Sequence, residues 1–250
     1  MATLLVLFSA KDAAAQRARR RFEPTDLRMQ EAGIAEIDLQ VGVLQGEDGA
    51  RTSAPDFEAS LGITPQVELE IDGTFGLDAS AKPQFLDNTL LSLRLAIVDV
   101  RDARDSASGW AAGVQAGPRL PTALGTRGLG VEALAIVGRT TGGLHLFVQG
   151  GTLLDPLEAG PGARAVRPFG VEAGVDLELD LDERERWSLT GELGGVKFLS
   201  SHRSQLHLTA GPTLRVAPWL ELSVVGVLGF LAGGDRYGAL LGATTRFRVF

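Results

Sequence analysis

From Ile34 onward the chain alternates apolar and polar residues with a period of two. Ile37, Leu39, Val41 and Val43 are set against Glu36, Asp38, Gln40 and Gly42, the spacing of a strand whose two faces meet different surroundings. The alternation returns over 67–75 and, over its longest run, across 169–180. An amphipathic helix would instead repeat its apolar positions at three and four. Cutting the pattern at its turn signals predicts about twelve strands, over 33–45, 56–64, 66–77, 89–101, 109–119, 128–139, 143–153, 165–181, 186–199, 205–216, 219–231 and 236–250. One phase of nearly every strand is oily and the other is charged. A soluble sandwich or barrel would need one of those phases as its core, and the polar phase is too charged to be that core. The fold class expected is therefore all-β: a single antiparallel up-and-down transmembrane β-barrel over 33–250.

The connections sort by parity, as they do in barrels whose periplasmic turns are short and whose outer loops are longer. Thr64-Pro65-Gln66, 139–142, 182–185 and Ala217-Pro218 are tight and fall on one side. The stretches 47–55, 78–88, 120–127 and 155–162 are longer and fall on the other, whereas 102–108 is longer than its parity predicts and 200–204 and 233–235 are shorter. Aromatics follow the same division. Trp110, Trp187, Trp219 and Phe247 fall at the periplasmic level, with Phe250 beside them, and Phe57, Phe75, Phe169, Phe230 and Tyr237 fall near the opposite strand ends. These are the positions of interfacial belts, where an apolar ring carries a polar edge. Phe147 is the aromatic placed clearly in mid-strand.

Composition agrees with strands and excludes several functions. The 250 residues include 32 glycines and no cysteine, which rules out disulfides and thiolate metal sites. A net charge of −7 speaks against nucleic acid as a partner. No run reaches the ~20 apolar residues of a membrane-spanning helix, so a bilayer span would be built from strands. At the N-terminus, Thr3 to Ala10 has the character of a short export-signal core and Ala13-Ala14-Ala15-Gln16 that of a cleavage site, although no basic stretch precedes them. Residues 1–16 are read as a truncated signal segment or a short amphipathic helix. Residues 17–32, with Arg17, Arg19, Arg20 and Arg21, are read as a solvated linker.

The last strand, Ala243-Thr244-Thr245-Arg246-Phe247-Arg248-Val249-Phe250, resembles the C-terminal strand of bacterial outer-membrane β-barrel proteins, which commonly ends in phenylalanine. Here Phe250 shares its phase with Arg246 and Arg248 rather than with the oily side. The stretch 33–250 also resembles outer-membrane transporters of the phenol meta-degradation type, through segments such as Leu61-Gly62-Ile63-Thr64-Pro65-Gln66-Val67-Glu68-Leu69-Glu70-Ile71. The resemblance implies the outer membrane of a Gram-negative bacterium, with the lipid bilayer and the barrel-insertion machinery as partners.

If the oily phase meets lipid, the other phase lines the lumen. It carries Glu36, Asp38, Glu58, Glu68, Glu70, Asp72, Glu132, Glu172, Asp176, Glu178, Asp180, Glu192 and Glu221 against Arg94, Arg119, Arg215, Arg246 and Arg248. An acidic lumen of this kind favours cations; alternatively the charges pair across the interior and close it. His145 and His207 share the lumen phase without metal-site spacing, and neither metal nor cofactor is expected. Three functions follow: a passive channel or transporter for small solutes, a non-conducting structural or anchoring barrel, and a lipid-modifying enzyme with Ser201 and His202 at the outer rim. A Ser one residue from a His is no nucleophile–base pair by itself, and the chain is read as a non-enzyme.

Overall fold

The computed structural model describes residues 27, 29–47, 49–78, 80–98, 108–159, 165–182, 186–199 and 204–250. All regular structure in them is β. Twelve long strands follow one another around a ring: β1 (Ile34–Gly46), β2 (Gly49–Thr64), β3 (Val67–Leu77), β5 (Leu90–Val98), β6 (Ser108–Arg119), β8 (Gly130–Thr141), β9 (Leu144–Leu154), β12 (Phe169–Asp180), β13 (Trp187–Phe198), β14 (Gln205–Ala217), β15 (Leu220–Gly229) and β16 (Tyr237–Arg248). Each pairs antiparallel with its neighbours. β1 closes the ring by pairing with β16 from Ile34↔Arg248 to Gln45↔Tyr237, so no barrel edge is left open. Four short strands lie in the outer connections. β4 (Pro83–Phe85) prolongs the sheet beside β3, and β7 (Thr126–Arg127), β10 (Leu157–Ala159) and β11 (Ala165–Val166) form a small sheet of their own.

The period-two pattern becomes inside and outside. Leu39 and Val43 on β1 are 45% and 56% exposed, whereas Asp38 and Gln40 between and beside them are 4% and 2% exposed. The same inversion of a soluble protein holds on β8, where Val131 and Val137 face out and Glu132 faces in. An apolar outer wall is what a hydrocarbon surrounding selects, because every backbone donor and acceptor of the wall is already paired between strands.

Departures from the expected boundaries have local causes. The connection expected over 47–55 is instead a tight hairpin closed by Gly46↔Gly49, and β2 continues through it. The ladder shifts between Ser53 and Asp56, where Pro55 has no N–H to offer. The run 165–181 divides into β11 and β12 at Arg167-Pro168, and the Pro168 carbonyl accepts the Asp155 N–H at 2.9 Å. The β8–β9 turn requires Gly142, whose φ of +57 lies in the left-handed region. The connection 99–107 and the export-signal and linker readings of 1–26 lie outside the described residues.

Candidate functional site: the barrel lumen

The inward phase places most of the sequence-predicted charges in one interior and joins them in three groups. On β3 and β5, Arg94 donates from Nη1 to Glu68 at 3.1 Å and from Nη2 to Glu70. Gln115 on β6 donates to the other Glu70 oxygen at 2.7 Å and to Ser92 Oγ at 2.9 Å. At the outer end, Arg119 of β6 donates from Nη1 to Glu132 at 2.6 Å and from Nε to Asp155 at 2.7 Å. At the periplasmic end, Arg246 joins Glu36 to Glu221, 2.9 Å away on the Glu221 side, and Arg215 donates to the same Glu221 oxygen at 3.0 Å. Asp38 accepts from Thr244 and Gln40, both at 2.8 Å. Each guanidinium thus spans two carboxylates or shares one, the arrangement in which buried charges compensate their lost hydration.

The β12 strand carries a second acidic series. Glu172 and Asp176 are buried and Glu178 is half-buried on its inward face, with Glu192 beside them on β13. His207 Nε2 lies 3.8 Å from Glu192. Near the periplasmic end of the same wall, His145 lies between Thr140 Oγ1 at 3.1 Å and Asp180 at 3.3 Å. Asp72 is half-buried on β3, and Glu58 is buried opposite it on β2. Arg248 departs from the expected lining: it is the last residue of β16, stands opposite Ile34 and is exposed at the rim, because the ladder ends there. Among the described residues no group of His, Asp and Glu has metal-holding geometry.

Alternation did not signal several lumen residues, because loops bring them in. Asp87 accepts the Thr74 N–H at 2.9 Å and its hydroxyl at 3.1 Å, while Asp56 accepts that hydroxyl at 2.9 Å. Asn88 reaches Asp155 at 3.4 Å and accepts from Thr126 Oγ1 at 3.1 Å. Arg51 holds Asp235 at 2.6 Å. These contacts tie the outer connections to one another over the outer end of the lumen. Gln115, Gln149 and Ser92 were legible as lumen-phase residues but, being neutral, did not stand out.

The chain before β1 also enters the lumen. The Gln30 N–H donates to Glu68 at 2.6 Å, and the Gln30 and Glu31 carbonyls approach so close to Gly62 of β2 that an added Cβ would stand 2.5 and 2.3 Å away. Leu27 then reaches the far wall. It is fully buried with Ala111, Leu134, Ile136 and Phe147, all on inward positions of β6, β8 and β9. Phe147, expected in mid-strand, points inward here because Gly138 is its register partner. A Cβ at Gly138 would lie 2.0 Å from the ring, so the glycine makes room for it.

The aromatics fall at both ends of the outer wall. Trp110, Trp187, Trp219 and Phe247 are exposed at the periplasmic level, and Phe169, Phe230 and Tyr237 at the outer one. Arg139 lies over the Trp110 ring, 5.3 Å from its centroid. Phe75 meets Phe85 edge-on at 5.4 Å. Phe57 stands midway along β2 rather than near its end, since that strand runs on to Gly49. Ser201 and His202 lie outside the described residues.

A closed ring of twelve antiparallel strands, oily outside and charged within, decides the fold. The chain has the fold of the bacterial outer-membrane β-barrels. Among solved structures it is similar to the COG4313 outer membrane channel from Pseudomonas putida F1, with 12% sequence identity and a TM-score of 0.65 over 90% of this chain and 100% of that one. It is also similar to the NanC porin, with 8% identity and a TM-score of 0.60 over 85% of this chain and 99% of that one. No family model matches the sequence, and no curated protein matches it. At these identities the likeness concerns the barrel and leaves its lining to be read from this chain alone.

Proposed function

We propose that the protein is a passive channel for small solutes in the outer membrane of a Gram-negative bacterium, with a lumen that favours cations. The observation that carries this reading is the inward phase itself. Carboxylates line β1, β2, β3, β8, β12 and β13, and the inward arginines of the barrel strands are fewer and already shared between carboxylates. A ring of partly compensated carboxylates lowers the barrier to cations and raises it to anions. The passage is narrow, because Leu27 and its neighbours cross the lumen at the level of Phe147. Insertion of such a barrel engages the barrel-insertion machinery, for which the terminal strand ending in Phe250 is the expected signal. The fold of the two solved neighbours, one a channel and one a porin, supports this reading.

A specific observation favours a second reading. The Arg94 and Arg119 groups and the Leu27 cluster each fill part of the interior, as expected of a barrel that anchors rather than conducts. Single-channel recording of the refolded protein in a planar bilayer, with reversal potentials under a salt gradient, separates the two. Discrete cation-selective steps are expected; stable insertion without steps would replace the channel with the anchoring barrel.

A further inference from the structure

We propose that the outer rim above β8, β12 and β13 is a binding surface for the phosphorylated glycolipid of the outer leaflet, with Arg127, Arg167 and Lys197 holding its phosphates. Thr126 turns inward to donate to Asn88, so its neighbour Arg127 faces away from the lumen and is exposed. Val196 is buried inside the barrel, so Lys197 faces out, opposite Val171. Arg167 shares the outward phase of Phe169, with the buried Pro168 between them. Its guanidinium comes within 3.4 Å of the Cβ position at Gly128, next to Arg127.

Three cations, on β7, between β11 and β12 and on β13, therefore point outward at one end of the barrel. None of their side chains forms a hydrogen bond or ion pair among the described residues. Elsewhere on the same rim Arg51 is held by Asp235 and Arg236 by Glu47. Along the outward phase of the described barrel strands, only Lys197 and Arg139 carry charge, and Arg139 belongs to the periplasmic end beside Trp110. Unpaired cations at lipid-facing positions cost free energy unless an anion meets them.

The wall beneath supplies the other half of the surface. Leu129, Val131, Phe169, Val171 and Leu199 are 39–63% exposed and run unbroken into the apolar belt. Arg167 and Lys197 stand about 13 Å apart along the strands, four residues at the strand rise, so no single phosphate spans both. A headgroup with more than one phosphate and several acyl chains fits cations set above such a face. A phospholipid, with one phosphate, engages only one of them. The inference goes beyond the channel reading and shares with it only the outer-membrane location.

The test is native mass spectrometry of the refolded full chain with three lipids added in detergent: bis-phosphorylated lipid A, its dephosphorylated form and phosphatidylglycerol. Lipid A adducts are expected at the lowest concentration. The triple variant R127Q/R167Q/K197Q should need on the order of a hundredfold more lipid A, and each single variant about fivefold more. Unchanged lipid A binding by the triple variant, or equal binding of phosphatidylglycerol by the wild type, overturns the proposal. Heat-dependent gel mobility reports folding, and the single variants decide the matter if the triple variant does not fold. The variants' conductance in planar bilayers reads the lumen separately, so failure of the rim site is distinguishable from failure of the channel.

Discussion

Gly138 and Phe147 face each other across the β8–β9 pair, and the pair can be taken apart. Replacing Gly138 by Ala sets a methyl 2.0 Å from ring Cδ1 and 2.3 Å from Cε1, inside van der Waals contact. The ring cannot retreat freely, since it is 2% exposed and packed against Leu27, Ile136, Leu134 and Ala111. Overpacking of this kind costs about 1–3 kcal/mol, and Phe147→Ala alone, which empties the ring's site, about 3–5 kcal/mol. The double variant removes the clash along with the ring, so its cost should fall short of the sum by about 1–3 kcal/mol, the whole of the Gly138→Ala penalty. Urea unfolding from lipid vesicles, followed by tryptophan fluorescence, gives the cycle. If Gly138→Ala costs as much without the ring as with it, the clash is not what the glycine relieves. The same cycle reaches function, because Phe147 and Leu27 narrow one level of the lumen: Phe147→Ala should enlarge the unitary conductance.

Other expectations test the lining and the turns. Leu27→Ala removes a fully buried side chain, a loss of about 2–5 kcal/mol felt chiefly by the docking of its segment; larger or longer-lived conductance steps are expected, and steps identical to wild type would separate the segment from the pore. Arg94→Ala leaves Glu68 and Glu70 without their guanidinium, which should destabilise the barrel by about 3–5 kcal/mol and move the reversal potential toward stronger cation preference; an unchanged potential would show that this pair does not face the ion path. In the β12–β13 turn, Asp182 accepts from the Trp187 and Arg186 N–H groups at 3.1 and 2.6 Å and from Arg186 Nε at 3.1 Å. The Trp187 hydrogen bond first, and those of Arg186 after it, hold its carboxyl below the usual carboxylate range. A depressed folded value means that the contribution is present above the unfolded value of about 4 and lost as pH falls through the folded one. Protection of the Arg186 and Trp187 amides from hydrogen exchange, taken against the intrinsic rate at each pH, should fall below about pH 4 in the wild type and be absent throughout in Asp182→Ala.

Much of the barrel was legible because a lipid surround imposes one rule at every strand. Nearly every outward residue of the belt is apolar, so Leu39, Val41 and Val43 against Asp38 and Gln40 reveal strand, phase and lumen together. Where the surround stops being lipid, the signal stops as well. β2 above Pro55 and the short strands β4, β7, β10 and β11 stand among polar loops, where alternation no longer reports on the ladder. Arg51, Asp87 and Asp155 enter the lumen network through such segments, which is why no periodicity marked them.

The amino-acid sequence by itself determined the long strands and their alternating faces, since both are local consequences of a two-residue period. Only the tertiary structure decided which carboxylate each arginine serves, because Glu36 and Arg246 stand at opposite ends of the chain and meet only through barrel closure. It also decided that Leu27 crosses the lumen to Phe147. A side chain's partner across a closed ring depends on register and curvature, and neither is written in the spacing of neighbouring residues.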